Sequence, residues 1–493
     1  MKIPALLLVL LILPALTAAA AQLAVETPAG MWPVWNRLEA RHPLPPGFRA
    51  LRIEPGTAWT GDRLLFRVVG VGSGGTGSAA DARVVDRIAL APFGRVWDAG
   101  RSVSLQDIRA GRVPTAPVES IRLPDIALPV EGSFPDEPGY PLFADVSLRL
   151  LGADPALHEW TDAIEEPAVS RAEITWIGAV GDVMPARGVD SLLLAPDGAR
   201  RVFGDTLPVL SASFLLLGNL EAAATAATVP ENKTYRFKFD ASALRVLKAA
   251  GFSYLSVANN HTFDLGRRGV LDTLDGLAKS GIGTSGAGID LAAAERPFVT
   301  TPNGQEIRVL SFGDYPVDRR GFDGRAKALA GQETPGTLWL DAQGLAAARR
   351  AFLPGSFHVA LVHGGEEWSG RPVPEQRRLY RELVRAGADL VIGSHPHVLE
   401  GMEAFDDGLI VYSLGNFLFP GMEGTNGGQD SMILKVGLVE GKVRYLQIVP
   451  VRLEGATVRL APGGQTVERV QALSRELSSD PRGHFVGSGV FYQ

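Results

Sequence analysis

Three histidines stand at the ends of apolar runs in the segment from His358 to Phe419. His363 closes the run HVALVH, and His395 and His397 flank a proline directly after DLVIGS. Such runs predict buried strands whose carboxyl ends carry the polar chemistry. Ligands of open α/β sheets bind outside those ends, so these imidazoles are candidate metal ligands. A turn at Pro396 would let both flanking rings reach one metal centre.

Three upstream segments end in the same way and add oxygen donors. WIGAVGD ends at Asp182, FLLLGNLE ends at Glu221, and YLSVANN ends at Asn260. Either carboxylate alone could instead cap a helix. Together with the imidazoles they form a set of oxygen and nitrogen donors that suits Mn, Zn or Fe, and mixed sites of this kind often hold two ions. The predicted metal ligands are Asp182, Glu221, Asn260, His363, His395 and His397.

His261 follows Asn260 directly and is the predicted proton donor. If the Asn260 amide oxygen binds metal, the neighbouring imidazole can face the substrate. Asp264 lies three residues further on. Its carboxylate could orient the imidazole, or Asp264 could be a turn residue before Gly266. The predicted catalytic residues are therefore His261 and Asp264.

The elements that must position these residues follow a β-α-β pattern from Ala172 onward. Predicted strands alternate with predicted helices, among them Gly269–Ser280 and Pro374–Arg385. Pro at the start and Gly just after the end favour the second helix. Two alternating runs joined at Glu440-Gly441 predict an antiparallel hairpin.

Residues 22–170 differ from the rest of the chain, because Pro and Gly are frequent and the apolar runs are short. We expect a separate accessory domain there, β-rich or α+β, of unknown role. The predicted domains are residues 1–21 as a signal peptide, 22–170 as the accessory domain, and 171–493 as the domain that carries the site.

Composition limits the class of protein. Hydrophobic residues make up 46% and charged residues 21% of the 493 residues, as in globular proteins. A net charge of -6 without basic clusters gives no indication of nucleic-acid binding. The absence of cysteine excludes disulfides and a lipidated N-terminal Cys, and it leaves His, Asp, Glu and Asn as metal ligands.

The N-terminus predicts export. Lys2 is followed by an almost wholly apolar run to Leu16 and by small residues up to Ala21. This pattern is typical of a secretory signal peptide cleaved before Gln22. The alternative is an uncleaved membrane anchor, although the apolar run is short for one.

Six segments of the chain resemble the CapA family of capsule or poly-γ-glutamate synthesis proteins. They are GDVMPAR, GNLEAA, ANNHTFDLGRRGVLDTL, ALVHGGEEW, GADLVIGSHPHVLEG and YSLGNFLF, in the order of that family and within residues 174–451. The family is similar to the calcineurin-like metallophosphoesterases. The resemblance implies an α/β (α+β) fold: a metallophosphatase-like β-sandwich of two mixed sheets, flanked by helices, with a two-metal centre on the sheet edges.

The resemblance also assigns roles. Asp182 matches the first aspartate of the phosphoesterase pattern, and either Asn219 or Glu221 matches the bridging ligand, Glu221 being preferred for its charge. One departure matters, because phosphoesterases usually have a histidine where this chain has Met184. A thioether is a poor ligand for hard divalent metals. We therefore expect one ion to be held more weakly, and ordinary phosphoesterase activity to be weak.

Three functions are compatible with these residues. The first is a metal-dependent hydrolase or transferase that makes, trims or anchors an anionic polymer outside the cytoplasm, with membrane-bound capsule synthesis subunits as partners. The second is a non-catalytic subunit that binds and exports the polymer. The third is a metal-dependent phosphodiesterase. Met184 argues against the third, and His261 beside Asn260 argues against the second, because binding alone needs no positioned acid.

Overall fold

The computed structural model describes most of the chain between Ala21 and Ser478. The described ranges are 21–26, 32–46, 48–53, 63–69, 83–99, 101–118, 121–137, 140–151, 153–164, 173–461 and 463–478. The predicted signal peptide lies outside them except for Ala21. Within the described ranges, no helix combines the length and the apolar composition that crossing a membrane requires.

The chain forms two compact units, which divide it differently from the expected boundary at residue 170. Unit 1 consists of Met1–Ala89 and Phe143–Ser170, and unit 2 of Leu90–Leu142 and Arg171–Gln493. The segment Leu90–Leu142, expected in the accessory domain, belongs to unit 2 because it adds to that unit's core. Its Ile126 and Leu128 are buried in the same apolar cluster as Leu446.

Unit 1 is an α+β unit. Its sheet pairs, in order, Phe48–Ile53, Ala21–Glu26, Arg63–Val69, Phe143–Leu151 and the first half of Arg83–Arg95. The helices are Trp32–Arg41 and Pro155–Ala163. Trp35 is fully buried and lies 6.4 Å from the Trp160 ring, so the two helices pack through aromatic side chains.

Unit 2 contains a mixed sheet built around the strand Thr175–Val183. The order is Tyr254–Ser256, Leu215–Leu220, Thr175–Val183, Asp430–Val439, Lys442–Glu454, Asp125–Ala127 and the second half of Arg83–Arg95. Asn416–Leu418, Thr457–Leu460 and Thr115–Pro117 pair at its margins. The strand Thr175–Val183 is buried along its whole length, because its neighbours and both faces are covered.

A second mixed sheet of unit 2 has six strands. Their order is Phe298–Thr300, Ile307–Asp314, Phe357–Gly364, Leu390–Ser394, Gly408–Val411 and Met402–Phe405. The four central strands are parallel, and both outer strands are antiparallel to their neighbours. Two-stranded ladders join Ala223–Ala224 to Lys238–Phe239 and Ala287–Gly288 to Gly336–Thr337.

The two sheets of unit 2 pack face to face. Ile177 and Leu217 of the first sheet share one buried cluster with Val359 and Ile392 of the second. Alternate residues such as Val180 face outward, into clusters covered by helices. This is the α/β (α+β) sandwich of two mixed sheets flanked by helices that the resemblance implied.

Helices cover both outer faces of this sandwich. The α-helices of unit 2 are Leu105–Arg109, Val189–Leu194, Gly198–Phe203, Leu207–Ser211, Leu244–Ala249, Gly266–Ser280, Leu291–Ala294, Gly324–Lys327, Ala342–Ala351, Pro374–Arg385 and Gln465–Ser478. The 3-10 turns are Val96–Asp98, Gly204–Thr206, Ala241–Ala243 and Pro302–Gly304. Pro374–Arg385 has the predicted bounds, and it buries Leu379 and Leu383 on one face.

The predicted hairpin is also confirmed. Asp430–Val439 and Lys442–Glu454 pair antiparallel, with Glu440 at φ 52° and Gly441 at φ 68° between them. Positive φ at both turn residues is the condition for a twisted two-residue hairpin.

Candidate metal centre and acid–base dyad

The predicted site residues converge at the carboxyl ends of the central strands of unit 2. Asp182 and Glu221 come from neighbouring parallel strands of the first sheet, and His363 and His395 from neighbouring parallel strands of the second. His363 Nε2 lies 3.2 Å from His395 Nδ1 and 3.0 Å from Asn260 Oδ1. The two sheets thus bring their polar ends together at one edge of the sandwich.

The turn His395-Pro396-His397 is held in an unusual backbone conformation. His395 has φ 101° and His397 has φ 61°, both in the backbone region that residues other than glycine rarely adopt. Asn416 holds the turn, because its Nδ2 donates to the His397 carbonyl at 3.1 Å. Its Oδ1 accepts from His397 Nδ1 at 2.9 Å, which leaves the Nε2 lone pair for another partner.

Glu221 and Asn219, the two candidates for the bridging ligand, differ in their hydrogen bonding. Asn219 Nδ2 donates to Asp182 Oδ1 at 2.8 Å, and its Oδ1 accepts from Asn259 Nδ2 at 3.0 Å. Both polar groups of Asn219 are therefore engaged. Glu221 has no exposed surface, and neither oxygen has a hydrogen-bond partner among the described residues. This arrangement favours Glu221 over Asn219 as a metal ligand.

The Glu221 carboxylate is surrounded by imidazoles. Its Oε1 lies 3.7 Å from His363 Nε2 and 3.9 Å from both His261 Nε2 and His397 Nε2. Converging donor atoms within 4.8 Å of one another come from Glu221, His363 and His395, and again from Asp182, Glu221 and His397. Buried polar atoms normally have partners, and this donor chemistry suits a divalent transition metal.

The electrostatics of His363 and His395 fit ligation. Burial and the neighbouring imidazoles lower the pKa of His395 to about 3 and that of His363 well below its ordinary value. Both rings are neutral at pH 7, the form in which imidazole binds metal. For His397 burial lowers the pKa, but the hydrogen bond and charge of Asp182 outweigh it and raise the pKa. Burial and the charges of Asp182 and Glu367 raise the pKa of Glu221.

His261 and Asp264 form a dyad beside this cluster. His261 Nδ1 lies 2.7 Å from Asp264 Oδ2, so the other ring nitrogen faces Glu221. Asp264 is fully buried and also accepts from the Phe237 amide at 2.6 Å and from the Lys233 ammonium. Asp264 lies in the turn before Gly266, as the alternative interpretation has it, and its carboxylate is also placed to orient the imidazole. Burial lowers the pKa of His261.

Two residues at the site, Lys233 and Glu367, were not predicted from the sequence. Lys233 is 2% exposed and bonds both Asp264 and the Asn260 carbonyl. Nothing in ENKTYRFKF marks it as buried. Glu367 lines the cleft beside His395, and the signal that could have found it was the acidic pair in HGGEEW.

Met184 contributes nothing to the cluster of donor atoms. It has no exposed surface and belongs to the apolar cluster under the helices of the first sheet. Ser413, which ends another buried run, donates to the Val398 carbonyl at 2.7 Å and is structural.

A cleft of about 480 Å³ leads to the cluster. His261, Asn260 and His395 lie at its base. Tyr235, Val317 and Trp368, which are 58%, 57% and 42% exposed, lie around it. The remaining charged lining residues are of both signs and are Lys233, Asp318, Arg319, Glu366 and Glu367. The cleft opens onto the dyad and onto the converging donor atoms of Asp182, Glu221, His363, His395 and His397, which we call the ligand cluster.

Comparison with known proteins places this chain in a family. Residues 176–421 match the family model described as bacterial capsule synthesis protein PGA_cap. The chain is 31% identical over 334 residues to the PGA biosynthesis protein CapA of Bacillus subtilis, which covers 65% of this chain and 83% of that protein. It is 28% identical over 356 residues to the capsule biosynthesis protein CapA of Bacillus anthracis, with 69% and 82% covered.

Among solved structures, a hypothetical protein from Thermus thermophilus matches 57% of this chain and 100% of its own, at 13% identity. Its TM-score of 0.37 is low. The fold of the chain described here is therefore assigned from its own strand order and not from this comparison.

Proposed function

Because this chain belongs to the PGA_cap family of bacterial capsule synthesis proteins, we propose that it is an exported, metal-dependent hydrolase or transferase. Its substrate would be a linkage in an anionic surface polymer of the poly-γ-glutamate kind. The observation that carries the catalytic part is the Glu221 carboxylate. It is buried close to three imidazoles, without a hydrogen-bond partner among the described residues, and it faces the His261–Asp264 dyad.

The residues that would hold two divalent ions are the predicted ligands. They are Asp182, Glu221, Asn260, His363, His395 and His397. Bound there, Mn, Zn or Fe would polarise the scissile group and lower the pKa of water. The set fits such ions because its donors are oxygen and nitrogen, and because three of its buried polar atoms, on Glu221 and His395, have no other partner among the described residues.

His261 would act on the leaving group as a general acid in its imidazolium form, which burial disfavours and the adjacent Asp264 carboxylate favours. Its Nδ1–H is fixed by Asp264, so Nε2 is the atom that would exchange a proton at the base of the cleft. Lys233 forms a buried ion pair with Asp264, so the charge of the carboxylate has a partner inside the protein. A subunit that only binds polymer would not need this arrangement, which is the reason to prefer an enzyme.

The polymer and the location come from the relatives and the N-terminal sequence. The two relatives are named for PGA biosynthesis and capsule biosynthesis. The apolar run before Gln22 has the pattern of a secretory signal peptide. We propose that the chain works outside the cytoplasm, beside membrane-bound capsule synthesis subunits.

The test is a substrate screen on protein of residues 22–493, with bound metal measured on the same samples. Poly-γ-glutamate and a simple phosphodiester would be incubated with Mn- or Zn-loaded protein, and product chain length and released phosphate would be followed. We expect polymer cleavage that His395→Ala abolishes. Metal binding without turnover would leave the polymer-binding role as the better account, and faster phosphodiester hydrolysis would make the chain a phosphodiesterase.

A further inference from the structure

Glu367 lies at the mouth of the cleft, just after the strand that ends with His363 and Gly364. Its side chain is exposed, yet one of its oxygens lies within 4.8 Å of a nitrogen of His395 and of His397. The latter two residues are buried, at 1% and 6% exposure. An exposed carboxylate thus lies close to two buried imidazoles at the boundary between the cleft and the ligand cluster.

The backbone fixes this position. The amide of Trp368 donates to the Pro396 carbonyl at 2.9 Å, which ties the loop to the turn between the two histidines. Trp368 itself has φ 65°, and its ring lies 5.5 Å from that of His397. Gly365 has φ 103°, and a Cβ there would lie 2.8 Å from Gln376 Oε1. The loop therefore requires glycine at 365 and places Glu367 beside the turn by main-chain contacts.

His395 supplies an independent observation. Its Nδ1 faces His363, but its Nε2 is buried and has no hydrogen-bond partner among the described residues. A buried nitrogen of this kind costs free energy unless something binds it. The strained φ of 101° at His395 shows that the surrounding structure enforces its orientation.

We propose that Glu367 is a ligand of a divalent cation that His395 and His397 also hold. This inference rests on the metal centre of the proposed function and extends it toward the cleft. Fixing an exposed side chain costs conformational entropy that a buried ligand has already lost on folding. The ion bound to Glu367 is therefore the more weakly held of the two, and the one nearest to an incoming substrate.

The test is metal binding to the protein of residues 22–493 after chelation. Wild type, Glu367→Gln and Glu366→Gln would be titrated with Mn²⁺ by calorimetry, and bound Mn would be counted after equilibrium dialysis. We expect two ions per wild-type chain with unequal affinities. Glu367→Gln should weaken the weaker binding step about tenfold or more and leave the tighter step within about twofold, since losing a group that supports a metal site typically costs 10–100-fold.

Glu366 is the matched control. It lines the same cleft, carries the same charge and is the preceding residue, but it contributes to no converging donor group in the described parts of the chain. Equal weakening by Glu366→Gln would mean a general charge effect and would overturn the proposal. Unchanged titration of Glu367→Gln would also overturn it, while the metal centre would stand. A wild-type chain that binds no ion would refute the metal centre itself.

Discussion

The two halves of the site satisfy their polar groups differently. In the dyad, the carboxylate of Asp264 has three partners, namely His261, the Phe237 amide and the Lys233 ammonium. In the ligand cluster, both oxygens of Glu221 and the Nε2 of His395 have none among the described residues.

This difference indicates different tasks. The dyad is complete within the chain, which is what a positioned proton donor requires. The ligand cluster carries unpaired donors at a cost in stability, and binding of a cation would offset that cost. Substitutions in each half can test whether the two are as separate as their hydrogen bonds suggest.

Replacing His261 by alanine should separate catalysis from metal binding. His261→Ala removes the proposed proton donor, so turnover of the proposed polymer substrate should fall about 10²–10⁴-fold, the usual contribution of general acid catalysis. Metal content should be unchanged, because His261 belongs to none of the converging donor groups of the described residues. Turnover and bound metal are measured on the same preparation.

His395→Ala is the contrasting variant. It removes a buried donor from the ligand cluster, so metal occupancy and activity should fall together. If His261→Ala loses as much metal as His395→Ala, then His261 is a ligand. The dyad would then be part of the metal site and not a separate proton donor.

Replacing Lys233 by methionine should destabilise the fold. Lys233 and Asp264 form an ion pair in which the side chains are 3% and 0% exposed. Lys233→Met leaves the carboxylate buried without its cation, which typically costs about 3–5 kcal/mol. Urea unfolding of the metal-free variant measures this loss in the free energy of unfolding.

Lys279→Met is the matched control, because Lys279 pairs with Asp275 on the surface, with side chains 75% and 59% exposed. Its cost should be about 0.5 kcal/mol or less. The double change Lys233→Met with Asp264→Asn should cost less than the sum of the single changes, since neither charge is then left alone. Strict additivity would show that Lys233 does not act through Asp264.

The convergence of the ligand residues could be predicted because it depends on strand ends. Apolar runs that stop at Asp182, His363 or Asn260 are local patterns, and parallel strands place their carboxyl ends at one edge. The structure shows strands in all three runs and brings the three residues together, although the strand Tyr254–Ser256 ends four residues before Asn260. The roles of these residues as ligands and acid remain predictions.

Other features depend on contacts distant in sequence, which no local pattern reports. Lys233 lies 31 residues from Asp264 in the chain, and only the fold buries the pair. The grouping of Leu90–Leu142 with unit 2 also depends on distant contacts. Residues 90–142 resemble their neighbours in composition, but their Ile126 packs with strands more than 300 positions away, as Ala127 pairs with Tyr445.

The contrast between partnered and unpartnered carboxylates recurs in one segment away from the cleft. Glu403 is bonded by Arg377, Arg381 and the Tyr412 hydroxyl. Burial alone would raise the pKa of Glu403, but these hydrogen bonds outweigh it and lower the pKa. Glu400 accepts one hydrogen bond, from Gln376 at 3.1 Å, and its other oxygen has no partner among the described residues.

These two carboxylates should make stability depend on pH with opposite signs. Burial raises the pKa of Glu400 from its ordinary value near 4.5 to about 8. A raised pKa means that the folded chain binds the proton more tightly, so this contribution is fully present below pH 4.5 and is lost as the pH rises through 8. Glu400→Gln stays neutral at every pH. As the pH rises from 5 to 9, its free energy of unfolding should therefore fall by on the order of 1–4 kcal/mol less than that of wild type.

Glu403, with its lowered pKa, contributes stability that is present above its ordinary pKa of 4.5 and is lost as the pH falls. Glu403→Gln should therefore remove stability at pH 7 and flatten the acid side of the profile. Urea unfolding of the metal-free proteins across this pH range measures the effects of both substitutions. A Glu400→Gln profile parallel to that of wild type would show that the unpartnered oxygen of Glu400 is solvated, and the contrast between the two carboxylates would then fail.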